Sequence, residues 1–266
     1  MVHEAADGPG DETEGPDASL ARYLDAAQKN FEAVRRLPHF VDLVSQVHRL
    51  YFPGFDLIPP TSPTIFGRLL LVCHKSLLSS AVLIARLLPE DATPITRRRV
   101  EAGLLAAAIK HDPKNLTRWQ AFEERTARWD ARTEGEKPAH LHAERTYPPG
   151  DKQVEKLRAH IGLLSDAYVH ITPELLMNLD WRQADTGDGG VSLHLNYFTN
   201  DRPAILREFI SLAGVHATVL DIFDDCYGGV FRADAEWKRN RSILELRGAR
   251  LARRIPGKQA ETLWPS

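Results

Sequence analysis

The sequence predicts a mainly α protein, a multi-helix bundle of six to eight helices around one core, with a small β-hairpin insertion. Three observations carry that prediction. Apolar residues recur at helical spacing through most of the chain, Ser, Thr, Asp and Pro punctuate those stretches at helix-start positions, and strand-like alternation is confined to residues 175–198. With 266 residues, 43% of them hydrophobic, the chain is long enough to bury a large core.

Residues 1–18 come first and are set apart by composition. Glu4, Asp7, Asp11, Glu12, Glu14 and Asp17 lie among Gly and Pro, so this tail is too polar to pack and is expected to be disordered. It also lacks the basic start and apolar run of a signal peptide. Ser19 reads as the N-cap of a first helix to about Arg36, with Tyr23, Leu24, Ala27, Phe31 and Val34 on one face. Pro38 opens a second helix, from about His39 to Tyr51, lined by Phe40, Leu43, Val44, Val47 and Tyr51. Pro53, Pro59, Pro60 and Pro63 then mark an irregular link.

The third helix, from about Thr64 to Leu88, is the most hydrophobic element and is expected to be central. Leu70, Cys73, Leu77, Ala81, Ile84 and Leu88 form its apolar arc, Arg68, Lys75, Ser79 and Arg86 a narrow polar stripe, and His74 flanks the arc. It approaches the length of a membrane span, but His74, Lys75, Arg86 and three serines interrupt it, so a buried helix of a soluble bundle is expected. Thr93 and Pro94 read as N-cap and first residue of the fourth helix, and Asp112-Pro113 repeats that signal for a fifth, running to about Arg132. On the fourth, Val100, Leu104, Leu105, Ala108 and Ile109 share one arc, and Glu101 falls inside it. A buried carboxylate without a partner is very costly, so Glu101 is expected to find one, with His216 the best match.

Residues 134–150 read as a loop and Asp151 to His170 as a sixth helix, with Val154, Leu157, Ile161, Leu164 and Tyr168 inward. The hairpin arms are Leu175 to Arg182 and Val191 to Phe198 about the turn-like Asp185-Thr186-Gly187-Asp188-Gly189-Gly190, with a helix over 173–180 as the rival for the first arm. The last core helix runs from about Pro203 to Asp225, stops at Gly228-Gly229, and carries His216 in the middle of its apolar face. The basic C-terminal region follows, so the expected organisation is a tail at 1–18, a helical domain at 19–230 and a basic helix or tail at 231–266.

A formal net charge of −2 excludes a globally basic nucleic-acid binder. Cys73 and Cys226, the two cysteines, sit in apolar contexts and offer neither a disulfide framework nor a zinc ligand set, which favours a cytoplasmic setting. Four constellations could carry chemistry. Glu101, His216, His74 and His170, the last with Asp166 one turn before it, could form a general acid/base set or a polar network that fixes helix register. Arg118, Arg125, Arg128 and Arg132 flank a stripe of Trp119, Phe122, Thr126 and Trp129, which suits nucleic-acid or phosphate binding or, alternatively, a core face beside a solvated, charge-compensated one. Arg68 and His74 are spaced Arg-x₅-His. Asp221, Asp224 and Asp225 lie one turn apart at a helix end, where carboxylates can hold Mg²⁺. His140, His142 and Glu144 lack a third ligand at metal spacing and read as surface loop. No Gly-rich phosphate loop, nucleophile elbow or zinc motif occurs.

The Arg68-to-His74 spacing resembles the signature of the HEPN superfamily of helical RNA-cleaving domains, which implies metal-independent RNA cleavage by that pair. Asp221-Ile222-Phe223-Asp224-Asp225 resembles the Asp-rich diphosphate motif of terpene synthases, and Asn200-Asp201, Ala204 and Glu208 resemble their second metal motif, with Ala204 where a hydroxyl is expected. Arg99, Glu101, Ala102 and Leu105, with Leu164, Ser165 and His170, resemble uncharacterised all-helical bacterial proteins, which implies a helical bundle without assigned activity. The expectation is a cytoplasmic, non-catalytic helical interaction or regulatory protein without a cofactor. Its expected partner is another protein or a second copy, or RNA or phosphate at the fifth helix, and no membrane. A HEPN-like ribonuclease and a Mg²⁺-dependent diphosphate enzyme are the alternatives.

Overall fold

A computed structural model of the chain describes residues 16–127, 150–164, 181–185, 191–195, 198 and 202–255. The fold is mainly helical. In order, the helices are α1 (Pro16–Val34), α2 (Pro38–Phe40), a π-helical turn (Val41–Ser45), α3 (Gln46–Asp56), α4 (Thr64–Ala85), α5 (Pro89–His111), α6 (Lys114–Ala127), α7 (Lys152–Leu164), α8 (Arg202–Cys226), α9 (Val230–Ala233) and α10 (Ala235–Ala252). Trp181–Asp185 and Val191–Leu195 stand in antiparallel register, Trp181 opposite Leu195. The remainder of the 175–198 stretch, apart from Phe198, lies outside the described residues, as do residues 1–15 of the acidic tail and His170. Asp17 and Ser19 lie inside α1, which starts at Pro16, so Ser19 is not its N-cap, and among the described residues the buried core is built mainly from the helices.

α4, α5 and α8 pack on one another at the centre, with α7 against α5 and α8, and α10 against α3. α4 turns Leu70, Cys73 and Leu77 inward at zero exposure, as its apolar arc requires. By length and composition it could cross a membrane, yet it lies within the bundle with Leu71, Val72 and Leu78 on its outer side. α5 is the more enclosed helix. Gly103 is the point of closest approach, where an added Cβ would meet Leu157 Cδ1 at 3.1 Å and Val219 Cγ2 at 3.3 Å.

Several helix ends differ from the sequence expectation, and each has a local cause. α4 closes in a Schellman motif, Leu88 N–H donating to Leu83 O at 3.0 Å and Leu87 N–H to Ile84 O at 3.0 Å. Leu87 takes the left-handed position (φ 65°) that more often falls to glycine. The chain then re-enters helix at once: Pro89, not Pro94, is the first residue of α5, with Glu90 and Asp91 in the first turn where the dipole favours acids. Thr93 is thus inside the helix, its hydroxyl donating to Pro89 O at 3.4 Å. Pro53, expected in the link, likewise sits inside α3. The π turn before α3 adds a residue to the helical repeat, and Leu43, Val47, Leu50 and Tyr51 become the fully buried row.

Other starts and stops match the local chemistry of the sequence. Asp112 Oδ1 accepts from Lys114 N–H at 3.0 Å, so α5 ends and α6 begins at the Asp112-Pro113 break. Asp151 Oδ1 accepts from Gln153 and Val154 N–H at 2.9 and 3.1 Å to open α7. α8 ends in a second Schellman motif, Gly229 N–H donating to Asp224 O at 2.8 Å, with Gly228 and Gly229 both at positive φ. The core does not stop at residue 230. Phe231, Trp237, Leu244, Leu251, Ala252 and Ile255 are buried with the other helices, while Lys238, Arg239, Arg250, Arg253 and Arg254 face outward.

Candidate functional site

The centre of the bundle contains a polar seam. α3 contributes Tyr51, α4 His74 and Cys73, α5 Arg99, and α8 His216 and Glu208. Tyr51, Arg99 and His216 have zero exposure, and His74 has 8%. Each arrives there by helical spacing: Tyr51 continues the row of Val47 and Leu50, His74 follows Cys73, and His216 stands between Val215 and Ala217. Tyr51 Oη and His216 Nδ1 are 2.7 Å apart. The Tyr51 ring stacks on His74 at 4.8 Å. His74 Nε2 in turn meets His48 Nδ1 at 3.0 Å, and Phe52 and Phe55 each contact His74 edge-on at 5.7 Å.

Arg99 is the unusual member. Its guanidinium is enclosed, yet Nε and Nη1 have no hydrogen-bond partner among the described residues, and neither has His216 Nε2. Burial pulls Arg99 down to about 9, opposed by Tyr51, Cys73 and Glu208. An arginine does not readily give up its proton, so the cost of enclosing it must be met by acceptors and a counter-charge. Burial, Arg99 and His74 together hold His216 well below the usual histidine range, which keeps it neutral. Burial raises Tyr51 well above its ordinary value, so it too is neutral.

Two uncharged rings meet here, Tyr51 Oη lying 2.7 Å from His216 Nδ1, and the imidazole tautomer decides which of them donates. The unpaired atoms are Arg99 Nε–H and Nη1–H, which can only donate, and His216 Nε2, which donates in the tautomer where Tyr51 Oη–H gives its proton to Nδ1. Burial and then Glu90 raise Glu208 to about 7, against the pull of Arg99 and Arg207, so it is only partly ionised near neutrality. On α7, His160 meets Ser211 Oγ at 3.3 Å and is lowered to about 4 by burial and Arg99. The seam thus combines a buried cation, neutral imidazole and phenol groups, and one carboxyl poised between its two states.

The structure separates the residues that the sequence groups together. Glu101 is not on a closed core face: its carboxylate pairs with Arg97 Nε at 2.8 Å, one turn back on the same helix, and both side chains are about a quarter exposed. The buried side of α5 runs through Ala92, Thr96, Arg99, Val100 and Gly103, whereas Glu101 continues the outer row of Asp91, Pro94 and Arg98, so Glu101 reaches solvent and His216 takes Tyr51 instead. Arg68 is exposed and His74 buried. A six-residue step places them about 120° apart around one helix, so they do not face a common point.

The three aspartates also diverge. Asp224 is fully buried and accepts from Phe231 and Arg232 N–H at 2.7 and 3.2 Å, and its carboxylate pairs with the Arg232 side chain. Asp225 pairs with the same Arg232, and Asp221 with Arg241 at 3.0 Å. Among the described residues no group of three or more His, Cys, Asp or Glu could hold a metal ion. Arg118 contacts Asn115 Oδ1 at 3.0 Å and Asp112 Oδ2 at 3.5 Å. The side chain of Arg125 and all of Arg128 and Arg132 lie outside the described residues.

Arg99, Tyr51 and His160 are the members that the sequence does not single out as a site, and Glu208 enters there only through the resemblance to a diphosphate-enzyme metal motif. Arg99 stands in the run Arg97-Arg98-Arg99, which reads as a basic surface. The signal that distinguishes it is Ala102, Gly103 and Ala106 at three, four and seven residues on, a row of small side chains that leaves room beside a long one. Compared with known protein families, curated proteins and solved structures, the chain matches none.

Proposed function

We propose that this chain is a non-catalytic regulatory protein, a cytoplasmic helical bundle whose core takes up a small polar molecule between α3, α4, α5 and α8. One observation carries the reading: Arg99 Nε, Arg99 Nη1 and His216 Nε2 are buried in the core without partners among the described residues. Leaving such groups unsatisfied costs about 1–3 kcal/mol each, more for a charged one, so an occupant that accepts from them stabilises the bundle. Binding restricted to the folded, closed state raises its stability with ligand concentration. Such coupling lets a bundle report the presence of a metabolite to a protein partner or a second copy of itself.

The reading is tested by mass spectrometry of the intact protein under native conditions, wild type beside Arg99→Met. The expected result is a small-molecule adduct, retained or restored by addition of metabolite extract, on the wild type and absent from the variant. Identical spectra for both proteins under all conditions would remove the basis for a core ligand.

A further inference from the structure

The chemistry of the lining narrows the occupant, resting on the reading of the core as a ligand site. Arg99 Nε–H and Nη1–H can only donate, and His216 Nε2 joins them as a donor when Tyr51 Oη–H gives its proton to Nδ1. A ligand that offers donors there would leave them unmet, whereas a carboxylate offers several acceptor positions and a charge opposite to that of the guanidinium. Charge sets the upper bound. Arg99 is the one cation with zero exposure among the described residues, and Glu208, from the facing helix, already opposes it in part. A dianion such as phosphate would bring more negative charge than the site can offset. Arg99, His216 and Tyr51 all have zero exposure, so an occupant beside them is shut off from bulk water.

We propose that the core of this protein binds a small monocarboxylate on Arg99 and His216, with Glu208 as the carboxyl that competes with it for the Arg99 charge. Tyr51 is a positioning residue: by donating to His216 Nδ1 it keeps the imidazole proton on Nε2, toward the ligand. The groups that face Glu208 are Glu90 and Arg99 from α5, with Arg207 beside it on α8. His160 on α7 faces Arg99 as a neutral ring. Protonation of Glu208 removes the competing charge, so carboxylate binding strengthens as the pH falls through the neighbourhood of 7.

Thermal melts of the full chain test this at constant ionic strength, with formate, acetate and propionate titrated against a chloride background and acetamide as the neutral isostere of acetate. The wild type is expected to show a saturable rise in Tm with the carboxylates, with half-saturation at lower concentration at about pH 6 than at about pH 8. Acetamide is expected to have no effect. Arg99→Met, which keeps the volume and removes the donors, is expected to weaken the response about tenfold or more. Glu208→Gln is expected to bind as well at about pH 8 as at about pH 6. Tyr51→Phe is expected to weaken binding and to shift the His216 tautomer, read from its ring nitrogen resonances, which a merely structural loss would leave on Nε2.

Acetamide acting as strongly as acetate would overturn the carboxylate while leaving a core ligand site in place. A response to phosphate or chloride equal to that of acetate would likewise overturn the assignment. No response to any solute, with wild type and Arg99→Met indistinguishable in ligand binding, would remove both the carboxylate and the core-site reading.

Discussion

Arg99 and Glu101 are two residues apart, and their fates are opposite. The acid, placed by periodicity on an apolar arc, turns out to be a partly exposed partner of Arg97, whereas the base, hidden in a run of three arginines, is the enclosed charge. A helical wheel weighs each residue against its own helix and contains no information on which face the neighbouring helices cover, which is why it misplaces Glu101. The row of Ala102, Gly103 and Ala106 does carry that information, because small side chains mark where another group needs space. His216 is a different case: the wheel correctly places it inside α8's apolar face, but its partner Tyr51 comes from a helix that sequence spacing cannot dock. In the ligand-free protein, Arg99→Met is expected to raise stability by about 1–3 kcal/mol in urea unfolding, since it removes an uncompensated buried charge at nearly constant volume. A loss of that size instead would mean that Arg99 is paired in the folded state.

Among the elements, helix ends were the most legible features where a side chain or glycine makes the stop. Asp112, Asp151 and the pair Gly228-Gly229 each act where local chemistry predicts. The failures at Pro53 and Pro94 share a cause: tertiary packing on both sides holds a helix through a position where propensity alone would end it. Asp224 shows the reverse, an acid that looks like a metal ligand but joins α8 to α9 by accepting two backbone N–H groups. Asp224→Ala is expected to cost about 2–4 kcal/mol in chemical denaturation, while Asp225→Ala, which loses an exposed pair, stays within about 1 kcal/mol. Equal losses would contradict the capping role. Gly103→Leu tests the α5 contact with α7 and α8: overpacking there is expected to cost at least about 1–3 kcal/mol, visible as a lowered urea midpoint.

For the whole molecule, buried histidines dominate the response to acid. Burial lowers His39, His48, His74, His160 and His216, the last two most strongly. Their unfolded forms take up protons near pH 6.5 while the folded forms do not, so stability present above that value is lost as the pH falls toward the folded pKa. Glu208 acts the other way: its raised pKa adds stability below the unfolded value of about 4.5 that is lost as the pH rises through about 7. With two strongly depressed histidines against one strongly raised carboxyl, stability is expected to fall from about pH 6.5 to about pH 4.5, by up to about 1.4 kcal/mol per unit for each net proton. His160→Gln is expected to make that slope shallower, and an unchanged slope would show that His160 titrates normally in the folded chain. The class of fold was readable because the helical repeat is written in every core helix. The seam was not, because it is assembled from four helices whose contacts follow from docking rather than from spacing.

The central claim is that the unpaired donors of Arg99 and His216 hold a molecule that is not protein. A high-resolution crystal structure of the wild type, grown in acetate, tests it most directly at one place, the space beside Arg99 Nε, Arg99 Nη1 and His216 Nε2. The account predicts non-protein density there with the shape of a carboxylate, its oxygens within hydrogen-bonding distance of both side chains. A guanidinium satisfied by Glu208, by protein carbonyls or by a lone water would contradict it.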